Sequence, residues 1–469
     1  MVPPPPAGQP DAVTTVRAAR CSEALVPVVA LIVMIYVSVV RFDTYPHLAL
    51  ILAAAVASFI GLRIGHRWSA IEDGILAGIA IGLKAILILM VIGMLIATWI
   101  QGGIVPVMIF HGLNLLSPDW FLAAACGICC VVSVATGSSW TTAGTVGVAL
   151  IGVGQGLGVS LPMVAGAIVS GAYFGDKLSP LSDTTNLAPA VAGVDLFEHL
   201  RYLLHTTVPG LVLALGLYLL IGRGAGGESA AGTVEALRTA LGDQFNLSSW
   251  LLLPPVLVIA MVVFRLPALP SLLGGAALGG VFAGWLQGCS LRDIVTAAFE
   301  GYVASTGNRA VDELLSRGGL ISMMNTVALI IAALGFGGVM ERTGQLAALA
   351  GAVLRFARNT GSLVAATVTT CVGMNIIAPD QYLSIVVPGR MYRKAYEQAG
   401  LPPQLLSRTL EDAGTLSSPL VPWNTCGAFM GSTLGVSAMA YAPYAFFNLL
   451  CPVIAIVIAS FGWGIAKRR

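Results

Sequence analysis

Apolar runs, most of them about 20 residues long and so able to cross about 30 Å of hydrocarbon, recur along nearly the whole chain. They lie at Ala24–Val40, Pro46–Gly65, Leu76–Ile100, Pro162–Leu187 and Tyr202–Ile221, and again at Leu251–Phe264, Pro267–Gln287, Leu320–Met340, Leu405–Cys426 and Tyr444–Ile465. A soluble fold would have to bury nearly all of these helices on every side. With 57% hydrophobic and only 10% charged residues, the composition suits a bilayer instead. Its 55 Gly and 25 Pro suit membrane helices that pack closely and break at defined points. A net charge of +2 gives no reason to expect a nucleic-acid partner. Cys126, Cys129 and Cys130 fall in an apolar run without His or carboxylate neighbours, so they read as packing residues. No disulfide framework, metal centre or cofactor motif is indicated.

The chain divides into a tail (residues 1–23), a first membrane unit (24–222), a polar connector (223–248), a second membrane unit (249–466) and a basic end (467–469). The Pro-rich start reads as disordered and is too polar for a signal peptide. The two units match at an offset of about 240 residues, a repeat signal of the transporter kind. Trp99-Ile100-Gln101-Gly102-Gly103 aligns with Met340-Glu341-Arg342-Thr343-Gly344. Gly175 and Ser179-Pro180-Leu181 align with Gly414 and Ser418-Pro419-Leu420, and Gly193-Val194-Asp195 aligns with Gly435-Val436-Ser437. The second unit carries an insertion near Tyr302–Gly318.

Arg17 and Arg20, then Arg63, His66 and Arg67, then Lys467, Arg468 and Arg469 all fall on the cytoplasmic side if the spans alternate, with both termini inside. Gln101–Asp119 has no Lys or Arg, whereas its mate Glu341–Gly361 has Arg342, Arg355 and Arg358, so the units read as inverted. Inversion requires an odd number of crossings per unit. That holds if the broken pairs Trp120–Gly158 and Leu363–Arg390 are re-entrant hairpins, with Leu363–Met374 and Tyr382–Met391 too short to cross. The expected fold is an all-α polytopic membrane protein of two inverted repeats, with about ten transmembrane helices plus two re-entrant hairpins and broken helices at mid-membrane. If every hairpin arm crossed fully, the count would be about fourteen spans.

Ionisable groups inside a membrane are costly and mark ion or proton pathways. The stretch Gly175–Asn186 concentrates Asp176, Lys177, Asp183, hydroxyls and a carboxamide. The hairpin tips are also polar: Gly137, Ser138 and Ser139 in the first unit, Asn375 and Asp380 in the second. Pro180 and Pro419 should unwind their helices and free backbone carbonyls for a small cation. Asp176 and Asp183, about two helical turns apart, share a face if the helix persists; both are expected to carry the ion and the proton. Lys84, read as lying near the middle of its span, needs a carboxylate partner, and its repeat mate is about Asn325. Lys177 could neutralise Asp176. Asp380 could lie at a solvated hairpin mouth, and Glu411 or Asp412 could pair near the interface with Arg408.

Gly171-Ala172-Tyr173-Phe174-Gly175-Asp176-Lys177-Leu178-Ser179-Pro180-Leu181-Ser182-Asp183-Thr184-Thr185-Asn186 closely resembles the signature of the NhaC sodium/proton antiporter family. So does Glu411-Asp412-Ala413-Gly414-Thr415, followed by Ser418-Pro419-Leu420-Val421-Pro422-Trp423-Asn424-Thr425-Cys426. The resemblance covers the chain from about Ala24 to its end. It implies a bacterial inner-membrane exchanger of Na+ for H+, working as a dimer whose transport domain moves against a scaffold. The motif implicates Asp176, Ser179, Asp183, Thr184 and Asn186, and in the second unit Asp412, Ser418 and Asn424. Trp140 departs from the pattern, being bulky at a tip where a small residue is expected.

The main expectation is therefore Na+/H+ exchange. The alternative is Na+- or H+-coupled exchange of a small organic acid, of the malate/lactate type, or of an amino acid. A cargo carboxylate would need Lys84, Lys177 or a helix N-terminus. A channel would more readily repeat one filter sequence on every subunit. An enzyme is excluded on motif grounds, since neither HExxH nor GxSxG occurs.

Overall fold

The computed structural model describes residues 16–42, 44–224, 230–307 and 309–463. The basic end 467–469 and most of the N-terminal tail lie outside the described residues. Among those described there are helices and connecting turns but no strand. Seven helices are long and apolar enough to cross a membrane, or nine if each of two bent pairs is one span. The chain is a multi-pass membrane protein.

The stretches before and after the connector carry similar series of helices, the second with an extra one at Arg309–Leu315. The first contains Cys21–Ile35, His47–Arg63, Trp68–Ile81, Leu83–Gln101, Ile104–Leu115, Pro118–Thr136, the arm from Ser139 to Gly156, Leu161–Leu178, Asp183–Ala192 and Leu196–Gly222. The second contains Leu253–Val263, Ala268–Trp285, Leu291–Glu300, Met324–Arg342, Gln345–Leu354, Thr360–Ile377, Gln381–Gln398, Pro403–Leu410 with its continuation, Thr425–Leu434, and a bent last helix ending at Phe461. The aligned glycines take the same backbone conformation, with φ 80° at Gly103 and 72° at Gly344, and 75° at Gly193 and 71° at Gly435. Packing exchanges between units in a two-fold pattern. His47–Arg63 packs on Met324–Arg342, and its counterpart Ala268–Trp285 packs on Leu83–Gln101. The two hairpins pack with the two broken helices, Pro118–Thr136 against Leu161–Leu178 most extensively. Gly171 and Gly175, one turn apart, make that approach possible: a Cβ at either would lie 2.2–2.3 Å from backbone atoms of Cys126 or Val134. Cys126 and Cys129 are buried there as packing residues.

Four expectations are corrected. Leu76–Ile100 is not one span, because Gly82 separates Trp68–Ile81 from Leu83–Gln101. Lys84 therefore sits in a first turn rather than at mid-helix. The hairpin arms are longer than expected: Thr360–Ile377 and Gln381–Gln398 have 18 residues each. Asn359 caps the start of the first and Asp380 the start of the second, and the second continues past its apolar stretch to Gln398. The polar connector contains a helix, Ala230–Gln244. Finally, the helix carrying Asp176 does not persist to Asp183; it stops at Leu178 and restarts at Asp183. Pro180 and Pro419 do stand at breaks in their helices.

Candidate functional site

A cavity of about 1120 Å³ opens where the first hairpin tip, the first helix break, the second tip and the start of the Leu83–Gln101 helix meet. Asp176, Asp183 and Asp380 line it, together with Lys84 and Arg265. Both helices that follow the breaks start at its wall, at Asp183 and Thr425.

Asp176 lies in the last turn of the Leu161–Leu178 helix and is 6% exposed. Ser139 Oγ donates to its Oδ2 at 2.6 Å, and Ser182 Oγ donates to its Oδ1 at 2.6 Å. One donor comes from the hairpin tip and the other from the break, so this carboxylate ties the two segments together. It makes no ion pair among the described residues. Ser182 also caps the Asp183–Ala192 helix, and its hydroxyl lies 3.1 Å from that of Thr184. The tip reaches the break because Gly137 has φ 66° and no side chain; a Cβ there would come within 2.6 Å of Leu181 Cβ. Ser138 caps the short helix after the tip by accepting from Thr141 N, and the bulky Trp140 stacks on Phe429 with ring centroids 3.9 Å apart.

The carbonyls expected to be free at the break are largely taken. Thr185 Oγ1 donates to the carbonyls of Asp176 and Lys177, and Asn186 Nδ2 donates to those of Pro180 and Ser182. Asn186 thus holds the break in shape. Ser179 is buried and its Oγ accepts from Leu181 N at 3.4 Å. The break therefore presents side-chain oxygens rather than a cage of free carbonyls.

Asp183 differs from Asp176. Its side chain is 59% exposed and pairs with Lys84 Nζ at 2.8 Å; Tyr382 Oη donates to the same oxygen at 3.3 Å. Lys84 has the carboxylate partner the sequence called for, in the cavity wall rather than deep in a helix. Arg265, with φ 67°, lines the same cavity and makes no ion pair among the described residues.

At the second break the corresponding positions hold neutral groups. Asn375 Nδ2 donates to Gly414 O at 2.7 Å and to Ser417 Oγ at 2.8 Å. Asn424 caps the Thr425–Leu434 helix, and its amide donates to Asn375. Ser418 donates to Thr415 O and to Gln381 Oε1. Asp380 is buried rather than solvated: it caps the Gln381–Gln398 helix by accepting from Tyr382 N and Leu383 N. Only its cavity position connects it with the other carboxylates.

Lys177 does not serve Asp176. It turns into the protein and pairs with Asp412, both side chains being fully buried. Asp412 is fully buried and stands away from the cavity lining, rather than near an interface exposed to solvent. Sequence reasoning did not single out Ser182, Thr185, Gln381 or Tyr382. Ser182 was legible as a cap three residues before Thr185; the cavity positions of Gln381 and Tyr382 depend on how the second tip docks.

Residues 171–463 match the family model described as the Na+/H+ antiporter family. The chain is 43% identical over 425 residues to the Na(+)/H(+) antiporter NhaC of Alkalihalophilus pseudofirmus, covering 90% of this chain and 92% of that one. It is 39% identical to the Na(+)/H(+) antiporter NhaC of Bacillus subtilis, covering 88% and 92%. It is also 38% identical to the malate-2H(+)/Na(+)-lactate antiporter of Bacillus subtilis, covering 89% and 90%. These relatives are transporters rather than enzymes, and the chain belongs to the Na+/H+ antiporter family that includes NhaC.

Proposed function

We propose that this protein exchanges Na+ for H+ across the bacterial inner membrane, with the Asp176 carboxylate holding a proton and a Na+ in turn. The observation that carries this reading is the position of Asp176: buried, bonded only through neutral hydroxyls, and open to the cavity. A bare carboxylate held away from water costs several kcal/mol, and either a proton or a Na+ removes that cost. When Na+ binds, the proton leaves to the cavity; when a proton returns, Na+ leaves. The site carries the same charge in both loaded forms, so neither cargo crosses without the other returning. Ser139, Ser182 and Thr184 supply hydroxyl oxygens that can donate to the carboxylate or turn a lone pair toward a cation. Ser138 stands at the same tip.

Alternating access in this reading is an elevator-type movement, in which hairpins and broken helices travel together against Leu83–Gln101 and Met324–Arg342. In this reading the units are inverted, both termini are cytoplasmic and two copies assemble. A second reading, exchange of a small organic acid or amino acid, is favoured by Lys84 and Arg265 on the cavity wall and by the malate/lactate relative. Proteoliposomes separate the two. An imposed Na+ gradient should drive proton flux with no organic solute present. Flux that appears only after malate, lactate or an amino acid is added contradicts Na+/H+ exchange and supports the second reading.

A further inference from the structure

Behind the cavity lies a second set of charges that the exchange step does not use. Lys177 Nζ pairs with Asp412 and also donates to Thr206 Oγ1 at 3.2 Å; Thr206 Oγ1 donates to Asp412 Oδ1 at 2.9 Å. The ammonium sits 5.8 Å from the centroid of the Phe447 ring. Arg408, also fully buried, places Nε 3.7 Å from Asp412 Oδ2 and its guanidinium 5.0 Å from the Tyr202 ring centroid. The group joins five segments: Leu161–Leu178, Leu196–Gly222, Pro403–Leu410, Glu411–Thr415 and Phe446–Phe461. It therefore fastens the first unit's broken helix to the second unit's.

Buried ion pairs are weak sources of stability, because desolvation offsets most of the attraction; their best-attested use is to fix register. Lys177 is the immediate neighbour of Asp176 in the last turn before the break. Successive side chains on a helix project about 100° apart, so anchoring Lys177 on one side sets where the Asp176 carboxylate stands on another. Thr185 holds the carbonyls of the same two residues, which leaves that turn little freedom. The Glu411–Thr415 turn that carries Asp412 is a π-helical segment, a distortion frequent at functional sites.

We infer that the Lys177–Asp412 pair, braced by Thr206, is a positioning device for Asp176, and that Asp412 acts through this pair rather than by ligating Na+. The inference rests on Asp176 being the exchange site. Its test is the Na+ dependence of proton flux in proteoliposomes, with thermal stability measured in parallel. Asp412→Asn and Lys177→Gln should each raise the half-saturating Na+ concentration about tenfold or more. The reciprocal exchange, Lys177→Asp with Asp412→Lys, made with Arg408→Met so that no second cation faces position 412, should bring it back to within about threefold of wild type. The neutral set Lys177→Met, Asp412→Leu and Arg408→Met, which strands no buried charge, should stay below about tenfold even if the single variants do not fold. Lowered thermal stability with unchanged Na+ dependence in the variants would reduce the pair to a structural tie and overturn the inference. Complete loss of exchange in both the reciprocal and the neutral sets, with folded protein, would make Asp412 a ligand and overturn it as well. If wild-type protein shows no Na+-driven proton flux, the Na+/H+ reading of Asp176 fails instead.

Discussion

The two helix breaks share a backbone plan and differ in chemistry. Each follows a conserved order of hairpin tip, broken helix, capping residue and short helix ending in a left-handed glycine, Gly193 or Gly435. At the first break the tip donates a hydroxyl bond to a carboxylate, Ser139 to Asp176. At the second the tip makes amide bonds to a carbonyl and a hydroxyl, Asn375 to Gly414 and Ser417. Thr415 aligns with Asp176 and Pro422 with Asp183, so the second break has no acid at either place. One break thus holds a buried carboxylate and the other a set of neutral bonds. In the proposed exchange the titrating step belongs to the first break and shape-keeping to the second.

The largest effect expected is from Asp176→Asn, which keeps the hydroxyl partners but cannot trade a proton for Na+; Na+-driven proton flux should fall at least about a hundredfold, equivalent to about 2.7 kcal/mol, in proteoliposomes. Next come Ser182→Ala and Ser139→Ala. A hydrogen bond to a charged group contributes about 1.5–3 kcal/mol, so each should raise the half-saturating Na+ concentration about tenfold. Asn424→Ala tests the other break. Losing a helix cap costs about 1 kcal/mol and should lower thermal stability in detergent, while Na+ half-saturation moves less than about threefold. A tenfold shift in Na+ dependence there would erase the proposed division between the breaks. The smallest effect is expected from Asp183→Asn. Its exposed pair with Lys84 is worth about 1 kcal/mol or less, so flux should persist within about fivefold; abolished flux would give Asp183 an equal share in the exchange.

Hydropathy made the membrane class legible, and the aligned glycines fell at positions of matching backbone conformation, because both depend on local properties of the chain. The breaks were visible through Pro180 and Pro419 for the same reason. Pairing was less visible. Lys177 stands next to Asp176 in sequence but bonds Asp412 across the molecule, because neighbouring helix positions face different directions. Lys84 needed a carboxylate by charge alone, yet the choice of Asp183 depends on Gly82 ending a helix and turning Lys84 to the cavity. The carbonyls expected to be free were claimed by Thr185 and Asn186, residues inside the same motif whose side chains fold back on the break.

The most direct test of the central claim is proton release from purified protein in weakly buffered detergent solution as Na+ is added, followed with a pH indicator. Wild-type protein should release protons saturably with bound Na+, Asp183→Asn should still do so, and Asp176→Asn should release none. Saturable release from folded Asp176→Asn matching that of wild type would place the exchangeable proton elsewhere and contradict the account.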